Sequence, residues 1–290
     1  MLLQDYSAHE GTVFSLSLSK DDKTLISTGY DGKIIFWDTK KNEIIRTLSH
    51  HSAPVYSAVL SPQENYLLSG DAHGEVLLTN TKTGSLIRKY CFHKKPVTKV
   101  AFLHHSEMFA SASEDGDVLI YSKDSEKPHK RVVNGSPIKS MAVSPQNSLI
   151  YTVCVNRKIN VWDIEKNKLS RSIAMKTAYA LDITLNWDNS AVVIGCSDSI
   201  VRVLDTALTQ VNRLIEFHTR PVFTLAVSPF NGLTASGSED SSVKIWSSDT
   251  GEIVQTLSGH KGTIHAIVFS HDGSVIFSAG SDKSIYCWKI

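Results

Sequence analysis

The sequence predicts an all-β fold, a single closed seven-bladed β-propeller, and three observations predict it. A polar turn between two short apolar runs recurs seven times along the chain. A second signal, most often a histidine, keeps the same period. Each repeat then divides into four strand-like runs, and the first residues of the chain supply a run that the last repeat lacks.

The turn is clearest in "SGSEDSSVKIW", residues 236–246. Gly, Ser, Glu and Asp interrupt the apolar runs, while "VKIW" has the β-branched and aromatic bias of a half-buried strand. The stretch returns as "STGYDGKIIFW" ending at Trp37, "SASEDGDVLIY" at Tyr121 and "SAGSDKSIYCW" at Trp288, with weaker copies ending at Thr79, Trp162 and Leu204. Its turn position falls on Asp31, His73, Asp115, Asn156, Asp198, Asp240 and Asp282, at spacings of 42, 42, 41, 42, 42 and 42 residues. So regular a period across the chain is the mark of a repeat architecture.

The second signal comes 22 residues before the turn: His9, His51, His93, His218 and His260 each hold this place, and Val or Ile follows four residues later. Asn134 and Lys176 stand there in the fourth and fifth copies. The repeats run approximately over 9–50, 51–92, 93–133, 134–175, 176–217, 218–259 and 260–290, the last completed by 1–8.

In the first repeat the expected strands are "TVFSLSLS" (12–19), "TLIST" (24–28), "KIIFWD" (33–38) and "EIIRTL" (43–48). Four strands alone cannot cover both faces of their sheet, so the repeats must stack face to face around an axis. "LLQDYSAH" at 2–9 aligns with "IIRTLSHH" at 44–51 and "IVQTLSGH" at 253–260, both fourth strands leading into the next repeat. The N-terminal strand is therefore expected to complete the last blade and remove an open sheet edge. No appended domain is expected.

Composition narrows the function classes. With 41% hydrophobic and 20% charged residues, 290 residues can bury a large core, and no apolar run reaches the ~18 residues of a membrane span. The start, "MLLQDYSAHE", lacks a basic region, so neither a secretory signal nor membrane attachment is expected. Cys91, Cys154, Cys196 and Cys287 lie far apart with no CxxC pair, which points to a reducing compartment, cytoplasm or nucleus. Cys154 and Cys196 are equivalent in the repeat and read as small buried hydrophobes. The histidines occur singly, no HExxH or phosphate loop is present, and no metal or cofactor is expected. Repeated Asp, His and Ser suggest triads, but an enzyme builds one site from groups of different roles. Near-copies around a ring point to structure and to a non-enzyme.

With these residues in place the chain resembles the WD-repeat family along essentially its whole length. The "WD" dipeptide is literal at Trp37–Asp38 and Trp162–Asp163, and the family's "GH" at Gly259–His260. The resemblance implies a buried hydrogen-bonded network within a blade, made by a His, a strand Ser, the turn Asp and the Trp. The matching sets are His9, Ser27, Asp31 and Trp37; His218, Ser236, Asp240 and Trp246; and His260, Ser278, Asp282 and Trp288. The third repeat places Tyr121 beside His93, Ser111 and Asp115. A buried carboxylate needs donors, which imidazole, hydroxyl and indole supply.

Three repeats depart from the set. The second has His73 for Asp and Thr79 for Trp, the fourth carries Asn134 and Asn156, and the fifth Lys176, Ile194 and Leu204. In the fifth, Asp198 is expected to have lost its partners, and its removal to cost less than that of Asp240.

Charge is unevenly spread. Residues 80–180 hold 17 Lys/Arg and 8 Asp/Glu, a net of +9, whereas the remainder holds 13 and 21, a net of −8. Because a propeller maps sequence onto angle, one sector of the disc is basic. An acidic protein partner, or RNA, is the corresponding expectation for that sector.

The resemblance also implies a role: a monomeric propeller acting as a non-enzymatic adaptor within a multiprotein complex, binding partner proteins or peptides at the channel mouth and rim. In propellers of this family that grip a peptide, contacts come from the residue after the first-strand Val/Ile and the residue before the turn Asp. The first set is Phe14, Tyr56, Thr98, Lys139, Leu181, Phe223 and His265; the second is Tyr30, Ala72, Glu114, Val155, Ser197, Glu239 and Ser281. Phe14, Tyr30, Tyr56 and Phe223 beside Glu114 and Glu239 suit a peptide with a basic side chain, by cation–π attraction and ion pairing, with Lys139 and His265 on the same mouth. The alternative is an RNA-associated component, such as a member of an RNA-decay complex, using 80–180. A ubiquitin-ligase substrate receptor is a weaker reading, because Lys40 and Glu165 stand where the Arg of Trp-Asp-x-Arg is expected.

Overall fold

The computed structural model describes residues 2–103, 108–144 and 148–290, and among these it contains strands and no helix. They form seven four-stranded antiparallel sheets. In the first blade the strands are Val13–Leu18, Thr24–Gly29, Ile34–Asp38 and Glu43–Leu48, within one residue of the sequence expectation. Burial explains their composition. "IIFWD" is covered by neighbouring blades on both faces and is buried from Ile34 to Trp37, whereas most of "EIIRTL" is exposed on the circumference.

The innermost strands are Val13–Leu18, Val55–Leu60, Val97–Phe102, Ile138–Val143, Ala180–Leu185, Val222–Val227 and Ile264–Phe269. Each packs against the next, and the seventh returns to the first, so the ring closes around a channel. The core lies between the blades rather than at one centre. The cluster of Val13, Leu25, Ile35, Trp37, Ala266, Phe277 and Cys287, for example, joins the first blade to the last.

Closure uses the N-terminal strand. Leu2–Tyr6 pairs antiparallel with Ile285–Lys289, with Tyr6 opposite Ile285 and Leu2 opposite Trp288. Tyr6 is 1% exposed; its hydroxyl lies 3.0 Å from the Thr39 carbonyl, and its ring meets Trp37 edge-on at 5.5 Å and Phe277 at 6.1 Å. The strand thus fastens its own blade to the first. A polar latch supports the same seam, with the His271 Nδ1 2.8 Å from Asp22.

The turn itself has one recurrent backbone demand. The residue after the turn position has positive φ in all seven blades: Gly32 at 74°, Gly74 at 84°, Gly116 at 91°, Arg157 at 63°, Ser199 at 70°, Ser241 at 64° and Lys283 at 69°. Glycine meets this without a Cβ penalty in three blades, and four accept the cost of a left-handed L-residue. Cys154 and Cys196 are fully buried, each at 0% exposure, as small apolar side chains.

Removal of residues 1–8 is expected to expose the Ile285–Lys289 edge, lower the melting temperature and favour self-association. Calorimetry and light scattering of the truncated chain check this; wild-type melting with a monomeric mass would contradict the role given to the strand.

Candidate functional site

Five blades carry one polar network in nearly the same geometry. The histidine Nδ1 faces the aspartate at 3.0 Å in His9–Asp31, 2.8 Å in His51–Asp71, 2.9 Å in His93–Asp115, 2.8 Å in His218–Asp240 and 2.8 Å in His260–Asp282. Its Nε2 faces Ser27, Ser69, Ser111, Ser236 and Ser278 at 2.7–2.9 Å. Trp37 and Trp288 donate Nε1–H to Ser27 and Ser278 at 2.8 Å. Indole nitrogen can only donate, so in these two blades the serine accepts from Trp and gives its own hydrogen to His Nε2. That leaves the neutral Nδ1–H imidazole donating to the carboxylate.

The carboxylate then works as a staple. Asp31 also accepts the amide of Glu10 at 3.0 Å, ahead of the inner strand, and that of Lys33 at 3.0 Å, across the turn. Asp115 and Asp240 make the same pair of contacts. Burial alone would push these carboxyls up, but donated hydrogen bonds from histidine and backbone outweigh it. Asp31, Asp71, Asp240 and Asp282 lie below the ordinary carboxylate range, and Asp115 falls to about 2. Burial lowers the pKa of His9 and His218, favouring the neutral ring.

The order Asp–His–Ser reproduces the contacts of a catalytic triad without its access. Ser27, Ser69, Ser111 and Ser278 are 0% exposed, and Ser236 is 1% exposed. No substrate carbonyl reaches those oxygens, so the triads hold the fold.

The departures are more varied than the sequence suggested. In the second blade the carboxylate comes from Asp71, two residues before His73; His73 is exposed, offers its amide to Asp71 at 3.0 Å and meets Ser52 Oγ through Nδ1 at 3.4 Å. In the fourth, Asn134 replaces histidine as a hub, its Oδ1 accepting from Thr152 at 2.7 Å, Asn160 at 3.0 Å and Trp162 at 2.9 Å. Asn156 lies exposed in the turn. The fifth corrects the expectation that Asp198 lacks partners: Arg202 grips it with two guanidinium nitrogens, at 2.8 and 2.5 Å. Leu204 and Ile194 in place of indole and hydroxyl leave a cavity of about 260 Å³ against Ile173. In the sixth, Trp246 departs from the expected set. Its ring is 0% exposed among Val193, Val203 and Ile215, and its Nε1 has no hydrogen-bond partner. In the third, Tyr121 stacks on Phe109 at 5.2 Å, and its buried hydroxyl is likewise unpartnered.

The channel mouth is built by a second device. In every inner strand the ladder skips one residue, between Val13 and Ser15, Val55 and Ser57, Val97 and Lys99, Ile138 and Ser140, Ala180 and Asp182, Val222 and Thr224, and Ile264 and Ala266. The skipped residues are Phe14, Tyr56, Thr98, Lys139, Leu181, Phe223 and His265. A bulge puts two residues opposite one and re-aims the extra side chain. Residue spacing located these positions; the bulges themselves left no sequence signal beyond that period.

The structure brings four of the seven together. Tyr56 meets Phe14 edge-on at 4.9 Å, Phe14 meets His265 at 5.7 Å, and His265 meets Phe223 at 5.4 Å. These rings come from the second, first, seventh and sixth blades and line one side of the mouth. Tyr30 stands beside them, 64% exposed. Burial lowers the pKa of His265, which favours its neutral ring at neutral pH. Glu114 and Glu239 are engaged within the chain, Glu114 by Lys139 at 2.8 Å and Glu239 by Arg220 at 3.2 Å.

One group has metal-like spacing: His51, Asp71 and Glu75 each offer an atom within 4.8 Å of the others. Both His51 nitrogens are already committed to Asp71 and Ser69, and Glu75 holds Lys89 at 2.5 Å. The set is accounted for as a hydrogen-bond network.

Fold, network and mouth define a repeat propeller of the interaction type. The chain belongs to the WD-repeat family: the family "WD domain, G-beta repeat" matches residues 1–38, 42–79, 209–247 and 251–289, more than half of the chain. A "Vps42 beta-propeller" family matches residues 63–175. A short stretch is similar to "Antiviral protein SKI8" of Saccharomyces cerevisiae, 50% identical over 42 residues, 14% of this chain and 11% of that protein. WD-repeat propellers are in general non-enzymatic scaffolds that bind other proteins within complexes.

Asp240→Ala is expected to destabilise by about 1–3 kcal/mol, because buried donors lose their acceptor. Asp198→Ala is expected to cost a similar ~1–3 kcal/mol, since it strands the largely buried Arg202 guanidinium. Denaturant titrations of the two variants check this; a negligible loss at Asp198 would contradict the role given to the ion pair.

Stability is also expected to fall on acidification, in two stages. His9 and His218 have folded pKa values below the unfolded ~6.5, so their contribution is complete above that value and is lost as pH falls through it toward the folded pKa. The staple carboxylates contribute above the unfolded ~3.9, and that contribution is lost as pH falls toward the folded values, about 2 for Asp115. Urea titrations from pH 7.5 to 3 read both stages. A midpoint unchanged between pH 7.5 and 5 would exclude the histidine stage.

Proposed function

We propose that this propeller is an adaptor whose aromatic channel mouth takes an Arg- or Lys-bearing segment of a partner protein. The observation that carries the reading is the unbroken row Tyr56–Phe14–His265–Phe223, with ring centroids 4.9, 5.7 and 5.4 Å apart. An aromatic face attracts a cation, more strongly where water is partly excluded. The row also lies outside the basic sector, in the part of the chain with a net charge of −8. Glu114 and Glu239, each partnered from within, shape the rim and form ion pairs that an incoming cation could exchange with. Phe14, Tyr56, Phe223 and His265 are half-buried and Tyr30 beside them is exposed, and aromatic surface left open to solvent at one opening favours a docking surface over an inert plug.

A second reading, an RNA-associated role that includes membership of an RNA-decay complex, draws on the net charge of +9 over residues 80–180 and on the short similarity to the yeast protein. Several of those cations are already paired, as in Arg131 with Asp117 at 2.7 Å and Lys166 with Asp163 at 3.1 Å. Protein contact is therefore the first reading. Binding to single-stranded RNA that falls steeply with salt would favour the second.

The test is the double variant Phe14→Ala with Phe223→Ala. Its circular dichroism and melting are expected to stay close to wild type. Its affinity for Arg-containing peptides and native partners is expected to fall about tenfold or more, two cation–π contacts being worth roughly 0.5–2 kcal/mol each. A folded double variant that keeps every partner would move the site elsewhere.

A further inference from the structure

The fifth blade has no tryptophan at the end of its third strand, and the space that an indole fills elsewhere is left open there. The last blade shows what that space holds when it is filled. The ring of Trp288 packs with Val243 and Leu257 of the preceding blade, meets Tyr286 edge-on at 5.5 Å and lies 6.4 Å from the His260 ring. Its Nε1 donates to Ser278 at 2.8 Å. Its far edge stands so close to Gly259 that a Cβ there would lie 2.9 Å from the ring.

Two repeats earlier in the chain, the positions of Val243, Leu257, Tyr286, His260, Ser278 and Gly259 are taken by Ile159, Ile173, Arg202, Lys176, Ile194 and Met175, and Leu204 stands for Trp288. All seven of these residues line the cavity of about 260 Å³. The cavity is therefore the vacated site of an indole. Met175 for Gly259 and Ile194 for Ser278 take back part of the volume, yet what remains exceeds the ~150 Å³ that suffices for a benzene ring in an apolar cavity. Ala174, Thr177 and Val211 also line it and are exposed, so the space is reached from outside.

The walls select the occupant. Ile194 has replaced the hydroxyl that accepts the indole N–H, and Lys176 the imidazole, so these seven positions offer no side-chain oxygen. An indole or a phenol would bury its polar hydrogen against them unpaired, a cost that a phenyl ring avoids. Two groups favour a ring over an aliphatic chain. Arg202 is held to Asp198 at 2.8 and 2.5 Å, and in-plane bonds of this kind leave a guanidinium able to stack its face on an aromatic ring. Met175 brings a thioether, a favourable neighbour for aromatic edges.

We propose that this gap between the fourth and fifth blades binds a phenylalanine side chain of a partner protein, seated where Trp288 sits in the last blade. The site is separate from the aromatic row, which belongs to the first, second, sixth and seventh blades.

The experiment uses the full chain with isotope-labelled methionine methyl groups and three pools of blocked hexapeptides, with a central Phe, Leu or Ala flanked by mixed polar residues. The chain has four methionines, and the Met175 signal is assigned by its loss in Met175→Leu. The Phe pool is expected to shift the Met175 methyl resonance saturably, by ring current, and to leave those of Met108 and Met141 in place. In competition against it, the Leu pool is expected to bind about threefold more weakly and the Ala pool at least about tenfold more weakly, as loss of the ring contacts and of apolar burial requires. Leu204→Trp refills the space from within and is expected to abolish the peptide-induced shift; Leu204→Phe, a smaller change, serves if that variant does not fold. The Phe14→Ala, Phe223→Ala variant is expected to bind the Phe pool like wild type. An unmoved Met175 methyl, a Leu or Ala pool that competes as well as the Phe pool, or a shift that survives the filling of the space would overturn the proposal. Loss of the shift in the Phe14, Phe223 variant would also overturn it, by placing the phenylalanine at the channel mouth.

Discussion

The pairing of a buried imidazole with a turn carboxylate is the constraint on which the rest of the molecule hangs. In five blades it fixes the loop that enters the inner strand against the turn between the second and third strands. The bulge that re-aims Phe14 or Phe223 begins four residues after the histidine, so the staple also sets where the mouth residues stand. Such a pair is favourable only because every remaining lone pair and proton is used. Asp31 illustrates this: its oxygens receive the imidazole and two backbone amides, which hold it ionised despite burial.

The fold was legible in the sequence because it is written seven times. Period, strand count and the closing N-terminal strand all follow from alignment of the chain with itself, and each has a direct physical cause in burial and edge pairing. The site was legible only by position. Spacing located Phe14, Tyr56, Phe223 and His265, but only the closed ring joins their side chains into a row and occupies Glu114 and Glu239 with Lys139 and Arg220. Residue-by-residue substitution misread the irregular blades. Asp71 supplies a carboxylate from a position where the first and last blades have Gly29 and Gly280, and Arg202 reaches Asp198 from the neighbouring strand. A network can be rebuilt from any element that faces the same volume, and linear spacing does not describe that volume.

The ring divides into two unequal arcs. The sixth, seventh, first and second blades supply the aromatic mouth, and the seventh and first keep the complete four-residue network. The third to fifth carry the altered hubs, most of the positive charge and the small cavity beside Leu204. In a repeat protein each unit is stabilised chiefly by its neighbours, so a regular arc can hold an irregular one in place. Closure strengthens the effect, because an irregular blade in a ring has support on both sides.

This division gives the aromatic mouth a physical basis for its preference. The row offers quadrupoles and a neutral His265 in an acidic arc, conditions that lower the energy of a cation near the rings. A carboxylate brought to the same rings would meet repulsion from both the ring faces and the arc, so selectivity at this mouth is set by repulsion as well as attraction.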